Sequence, residues 1–306
     1  MSEIDVAAPR RKPSRASGLD LARALTEVSQ DRLSGALMVT GEPGGSFHLR
    51  RGALVEVASP GAPGVETLLL RSGRVSEADW ASVTRSCAAD GRVGAALITQ
   101  ELVGSAELQL MCVMAALDGA LAVGMGRIND FAFDRDAHTC RLAAPDGIEP
   151  EWLVEEAGRR IRVLGVLAQS LSPFRSRLAR TSAGSAWLAN TAAGERREIL
   201  LRANGRRSVR DIAFLLGRSL YAVTVEVSRL MGEGLLETVA SADAQSPAAA
   251  HPPPDPVGGR PVQTQLPHRL PGASGITGVL PLRPVADCWR PPPALLAEDR
   301  ALGGNR

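Results

Sequence analysis

Ten side chains in the last third of the chain carry the clearest chemical suggestion. Arg202, Arg206, Arg207, Arg210 and Arg218 cluster around the turns of the stretch ERREILLRANGRRSVRDIAFLLGRSLYAVTVEVSRLMGEGLLETV. Guanidinium groups placed this way suit phosphate oxygens, which they neutralise without reading a base sequence. Tyr221, Thr224, Ser228 and Arg229 fall with Val225 on one face of a helix at 100° per residue, and Ser219, the residue that caps it, joins them as a candidate groove contact. That face would be the one presented to a major groove. Arg229 is its only cation, and no Asn or Gln stands there for bidentate contact with adenine. Phosphate contact is therefore the stronger chemistry, and a solvated arginine rim is the plain alternative.

No catalytic, cofactor or metal constellation competes with this cluster. The chain has no G-x-x-x-x-G-K-S/T, no H-E-x-x-H and no G-x-S-x-G. Cys87, Cys112, Cys140 and Cys288 form no C-x-x-C pair, and His138 beside Cys140 lacks the further ligands a zinc site needs. Isolated reduced thiols are expected. The net charge of +2 is too small to make the whole protein a polyanion binder, so any basic patch must be local. Lys12 is the only lysine; the positive charge is otherwise arginine.

The elements that must position the cluster read as helix, turn, helix, tight turn, helix and short strand. The first helix is expected over about 194–203, with Ile199 and Leu200 inward and Asn204-Gly205 as its stop. Ser208 caps the second, which buries Val209, Ile212, Ala213, Leu215 and Leu216 and stops at Gly217, where a C-terminal cap wants φ > 0. Ser219 caps the third, whose Val223, Val227 and Leu230 face the core. Leu235-Leu236 opens a strand, but TVASADAQSP offers no clear second strand. The layout, and the ending R-L-x-x-x-G-L-L at Arg229–Leu236, resemble a winged helix-turn-helix of the MarR type.

Upstream, residues 1–18 read as a polar, disordered arm without the apolar core of a secretory signal. Residues 19–136 read as a folded domain. Leu21, Ala24, Leu25 and Val28 sit at helical spacing, and Asp20 favours the helix start. ALMVTG from Gly35, the alternating SFHLR and ALVEVAS are three strands joined by Gly-rich turns. A helix follows over about 65–71. Ser76 and Asp79 cap another, with Trp80 and Val83 on its inner face. RVGAALITQELVGSAELQL reads as helix, turn, helix, with Ser105 as the cap. Leu108 to Met125 is apolar, but Asp118 at its centre and Gly119 and Gly124 argue for a buried helix over a membrane span. FAFDRD closes the domain on a strand.

DRLSGALMV, SFHLRRGALVEVASP and GVETLLLRSG resemble the PatA-like N-terminal domain, a bacterial signalling module. Gly35, Leu37, Val39, Gly52, Leu54, Val55 and Ala58 occupy its motif positions, with one extra residue before Ala58. The resemblance implies a domain that takes an input or binds a protein partner. No acidic pair and lysine suited to phosphoryl acceptance accompany it. RVGAALITQELVGSAELQL also resembles the small helical repeat of secretion and pilus ATPases, a partner-binding element. Residues 137–192 form a helical connector, with Trp152, Ile161, Leu164 and Leu167 on a helix over about 151–169 and FRSRLAR as a basic helix face. Residues 193–240 are the winged-helix domain, and 241–306 a Pro/Ala/Gly-rich tail expected to be disordered.

The expected fold class is α+β: a small antiparallel sheet with packed helices, then a mainly helical winged helix-turn-helix domain. The expected function is that of a cytoplasmic, non-enzymatic transcriptional regulator that contacts duplex DNA and takes its input through the N-terminal domain. The alternative is a signalling adaptor in which both domains bind proteins and DNA is not touched. No cofactor and no membrane contact are expected. A second copy of the chain is a further candidate partner.

Overall fold

Capping pairs in the sequence set the start of the first described element and of several later ones. The computed structural model describes residues 17–87, 92–137, 140, 142–167 and 171–239. The tail at 241–306, the arm up to residue 16 and His138 lie outside the described residues. Ser17 and Gly18, placed in the arm by sequence, instead begin the first helix.

That helix, α1 (Gly18–Gln30), opens on a reciprocal capping box between Ser17 and Asp20 and buries Leu21, Leu25 and Val28. Three strands follow, β1 (Gly35–Glu42), β2 (Gly45–Arg50) and β3 (Ala53–Ala58). Their pairing is antiparallel, with Leu37 opposite Phe47 and Phe47 opposite Val57. The helices α2 (Val65–Arg71), α3 (Glu77–Ser86) and α4 (Val93–Thr99) then lead to α5 (Ser105–Met125). Ser76 caps α3 as expected, but the cap of α5 is Gly104, and Ser105 is already helical.

The helix α5 is the hinge of the whole packing scheme. Its length and composition would suffice to cross a membrane. In the fold it is a core helix, with Leu108, Leu117, Asp118 and Leu121 buried. Each such leucine contributes about 1.5–3 kcal/mol relative to exposure. After it, β4 (Arg127–Asp134) pairs with β1 and completes a sheet of order β3-β2-β1-β4. The expected strand at Phe131 was thus the second half of a longer one.

The connector is more structured than its composition suggests. The helix α6 (Pro150–Leu167) buries Leu153, Ala157 and Leu164, whereas Trp152 and Leu167 are exposed. FRSRLAR is not a helix face: it contains β5 (Arg177–Arg180), the centre of a second sheet. Then come α7 (Ser182–Asn190), α8 (Glu195–Arg202), β6 (Asn204–Arg207), α9 (Val209–Leu216), α10 (Leu220–Gly232) and β7 (Leu236–Val239). Leu215, expected in the core, is exposed. The described residues therefore form a mixed α+β fold with ten helices and two small antiparallel sheets, the second of order β6-β5-β7.

Two apolar cores hold this together. The first joins α1, the four-stranded sheet, α2–α5 and the start of α6. The second is built from α8, α9, α10, β5 and β7, but it also contains Ala62, Leu121, Ala122 and Leu164. Opposite sides of α5 thus serve both cores, and the two halves of the chain pack as one body.

Candidate functional site: the capped end of α10

Local sequence rules place α9 and α10 with little freedom. Ser208 Oγ accepts from the Asp211 amide at 3.3 Å, and Asp211 Oδ2 accepts from the Ser208 amide at 2.9 Å. The helix α9 ends on Gly217, left-handed at φ +60°, and the Arg218 amide then donates to the Ala213 carbonyl. Ser219 starts α10 by accepting from the Ala222 amide at 3.4 Å. All three residues do what their types require.

A residue from the other half of the chain completes that start. Asp118, fully buried on α5, accepts from the Leu220 amide at 2.6 Å, from Ser219 Oγ at 3.0 Å and from the Tyr221 amide at 3.3 Å. The first amides of a helix have no partner inside it and carry its positive dipole end. A carboxylate there satisfies both needs. Burial pushes the Asp118 carboxyl above its ordinary range, against the three hydrogen bonds and the nearby charge of Arg160, which pull it down. Arg160 of α6 lies over the Tyr221 ring at 4.9 Å and pairs with Glu156 at 2.9 Å. Arg159 and Arg160 together hold Glu156 at about 2. Sequence placed Asp118 as a charge inside an apolar helix; its partners lie a hundred residues away.

The expected groove face is consequently not a solvent face. Thr224 is buried, its hydroxyl donating to the Leu220 carbonyl at 2.7 Å. Tyr221 is half-buried beneath Arg160, and Val225 packs against the second core. Ser219 is occupied by Asp118, and Ser228 is half-buried and bonds the Thr224 carbonyl at 2.8 Å. Of the five, only Arg229 is exposed, 3.4 Å from Glu226. A helical wheel assumes one buried side. Here α10 packs on α8 and α9 and also on α5 and α6.

The five arginines separate into three situations. Arg218 pairs with Glu195 at 2.5 Å and Glu198 at 3.9 Å. Arg210 stands over the Phe214 ring at 5.6 Å, with its amide bonded to the Pro173 carbonyl. Arg202, Arg206 and Arg207 stay together at the end of α8 and on β6, where Arg207 donates to the Arg202 carbonyl at 3.4 Å. Among the described residues these three form no ion pair, and Arg206 is exposed. The strand β5 brings Arg177 and Arg180 alongside; the sequence marks FRSRLAR as basic but not its placement beside this cluster. Arg177 is held by Asp211 at 2.9 Å, and Arg180 donates to the Leu200 carbonyl at 3.3 Å.

Two of the described thiols, Cys112 and Cys140, show no activation. Burial pushes Cys112 up to about 12, and burial beside Glu56, 2.8 Å away, raises Cys140 further. Both stay protonated near neutral pH, the unreactive form. Among the described residues no group of three or more His, Cys, Asp or Glu side chains is placed to hold a metal ion. No family model, curated protein or solved structure matches the chain.

Proposed function

We propose that this chain is a regulatory adaptor acting in the cytoplasm, with a PatA-like lobe and a winged-helix-like lobe held as one body. It works through protein partners and does not read DNA sequence with α10. The observation that carries this reading is the capping of α10 by Asp118. A groove-reading helix leads with its N-terminal residues. In this chain those residues include Leu220 and Tyr221, whose amides bond to Asp118 of the other lobe, and Thr224, which is buried. The second sheet supports the same reading. A winged helix normally pairs the strand after its third helix with a further strand across the wing loop. Among the described residues the strand paired with β7 is β5, from upstream of the helices.

A second reading, a DNA-bound regulator, is favoured by one observation, the unpaired trio Arg202, Arg206 and Arg207. That trio would grip the phosphate backbone without reading bases. The two readings separate in an anisotropy titration with a labelled generic duplex. Backbone binding by three arginines would weaken by roughly 40-fold between ~50 and ~200 mM salt. It would vanish when all three are changed to alanine. The adaptor reading expects no saturable binding at the lower salt, and a steep salt-dependent isotherm sensitive to the trio would displace it.

A further inference from the structure

The fourth arginine of the cluster, Arg210, lies apart from that trio and lines a different feature. A cleft of about 770 Å³ opens where the end of β1 and the start of β4 meet the loop before β5 and the first turn of α9. Arg127, Arg175 and Arg210 line it with Glu42, Pro43 and Phe174. Glu42 is shared, 2.8 Å from Arg175 and 3.7 Å from Arg127. Arg210 forms no ion pair among the described residues, and its Nε is buried without a hydrogen-bond acceptor. Three guanidiniums against one carboxylate leave two positive charges in excess.

We propose that this cleft binds a small molecule carrying a phosphate monoester. The excess charge matches a phosphoryl dianion, and guanidinium forks present paired donors to its oxygens. A buried donor without an acceptor is costly, so an anion within reach of Arg210 gains from satisfying it. Pro43 and the half-buried Phe174 ring give an apolar wall for the organic part. The volume is in the range of small-molecule sites. The walls come from both halves of the chain, so occupancy stabilises their contact, which is how such a ligand would act on the whole body. The proposal does not depend on whether the protein binds DNA or protein partners.

The test uses the full chain with phenyl phosphate as the probe, in calorimetry and thermal melting at about pH 8, where the monoester is a dianion. One saturable site per chain is expected, competed by inorganic phosphate and not by phenyl sulfate, which carries a single charge. The double variant Arg127→Gln/Arg175→Gln, both exposed positions, should bind about tenfold more weakly or worse. Arg210→Gln should do the same, provided its unliganded melting temperature shows that it folds. Arg206→Gln/Arg207→Gln should bind as the native chain does, which separates this cleft from the arginine trio. Absence of saturable phenyl phosphate binding, equal competition by phenyl sulfate, or undiminished binding by the Arg127/Arg175 double variant would each overturn the proposal.

Discussion

Asp118→Ala should destabilise the protein by about 2–4 kcal/mol, read as a lower midpoint in urea unfolding. The substitution strands the Leu220 and Tyr221 amides and the Ser219 hydroxyl, all donors to that carboxyl. Each buried donor left without an acceptor costs about 1–3 kcal/mol, and relief from burying the carboxyl offsets part of the sum. Asp118→Asn keeps one carbonyl acceptor in place and should lose less.

The pH dependence of that comparison has a defined sign. Burial raises the Asp118 carboxyl in the folded protein above its ordinary value of 3.8, so the native state holds its proton more tightly than the unfolded chain does. Its titration therefore contributes stability in full below about 3.8, and that contribution is lost as pH rises through the folded value. Asn does not titrate. The stability of native protein over Asp118→Asn should accordingly shrink from acid toward neutral pH. A difference that widened with pH would show that the hydrogen bonds outweigh burial.

Gly217→Ala should be the second large effect, at about 3 kcal/mol or more. The position needs φ +60°, which costs a residue with a Cβ about 1–2 kcal/mol. The added carbon would also stand 2.2 Å from Arg71 Cβ on α2, so one helix must move. Gly234 is an internal control. It has φ +72°, but a Cβ there would meet nothing within 4 Å. Gly234→Ala should show the conformational cost alone, about 1–2 kcal/mol. Equal losses at the two positions in parallel urea titrations would mean that α2 and α9 do not press together as described.

The contrast between those glycines marks what could be read in the sequence. That Gly217 ends a helix followed from its place after a periodic run; that it also seats α2 did not, because Arg71 is far away in the chain. The caps at Ser76, Ser208 and Ser219 and the alternation of β2 depend on neighbours within a few residues, and each was legible; the cap at Ser17 was not, because the polar run before it reads as an arm that continues through Gly18. β5 was not. RLAR is four residues with charges at both ends, and it becomes a strand only by lying between β6 and β7, which come later in the chain. Asp118 was visible as an anomaly in an apolar helix, but nothing nearby named its partners. The candidate site failed for the same reason. The wheel gave the correct inner residues Val223, Val227 and Leu230, and it could not foresee that Thr224 is buried as well on a helix that also packs on α5 and α6.

The most direct test of whether α10 reads DNA is selection from a pool of random duplexes by the full chain at low salt, followed by sequencing. The expected result is that no sequence motif is enriched over the starting pool. An enriched motif that disappears on Tyr221→Ala or Arg229→Ala, in variants that melt like the native protein, would contradict the assignment. It would mean that the end of α10 leaves Asp118 to enter a groove.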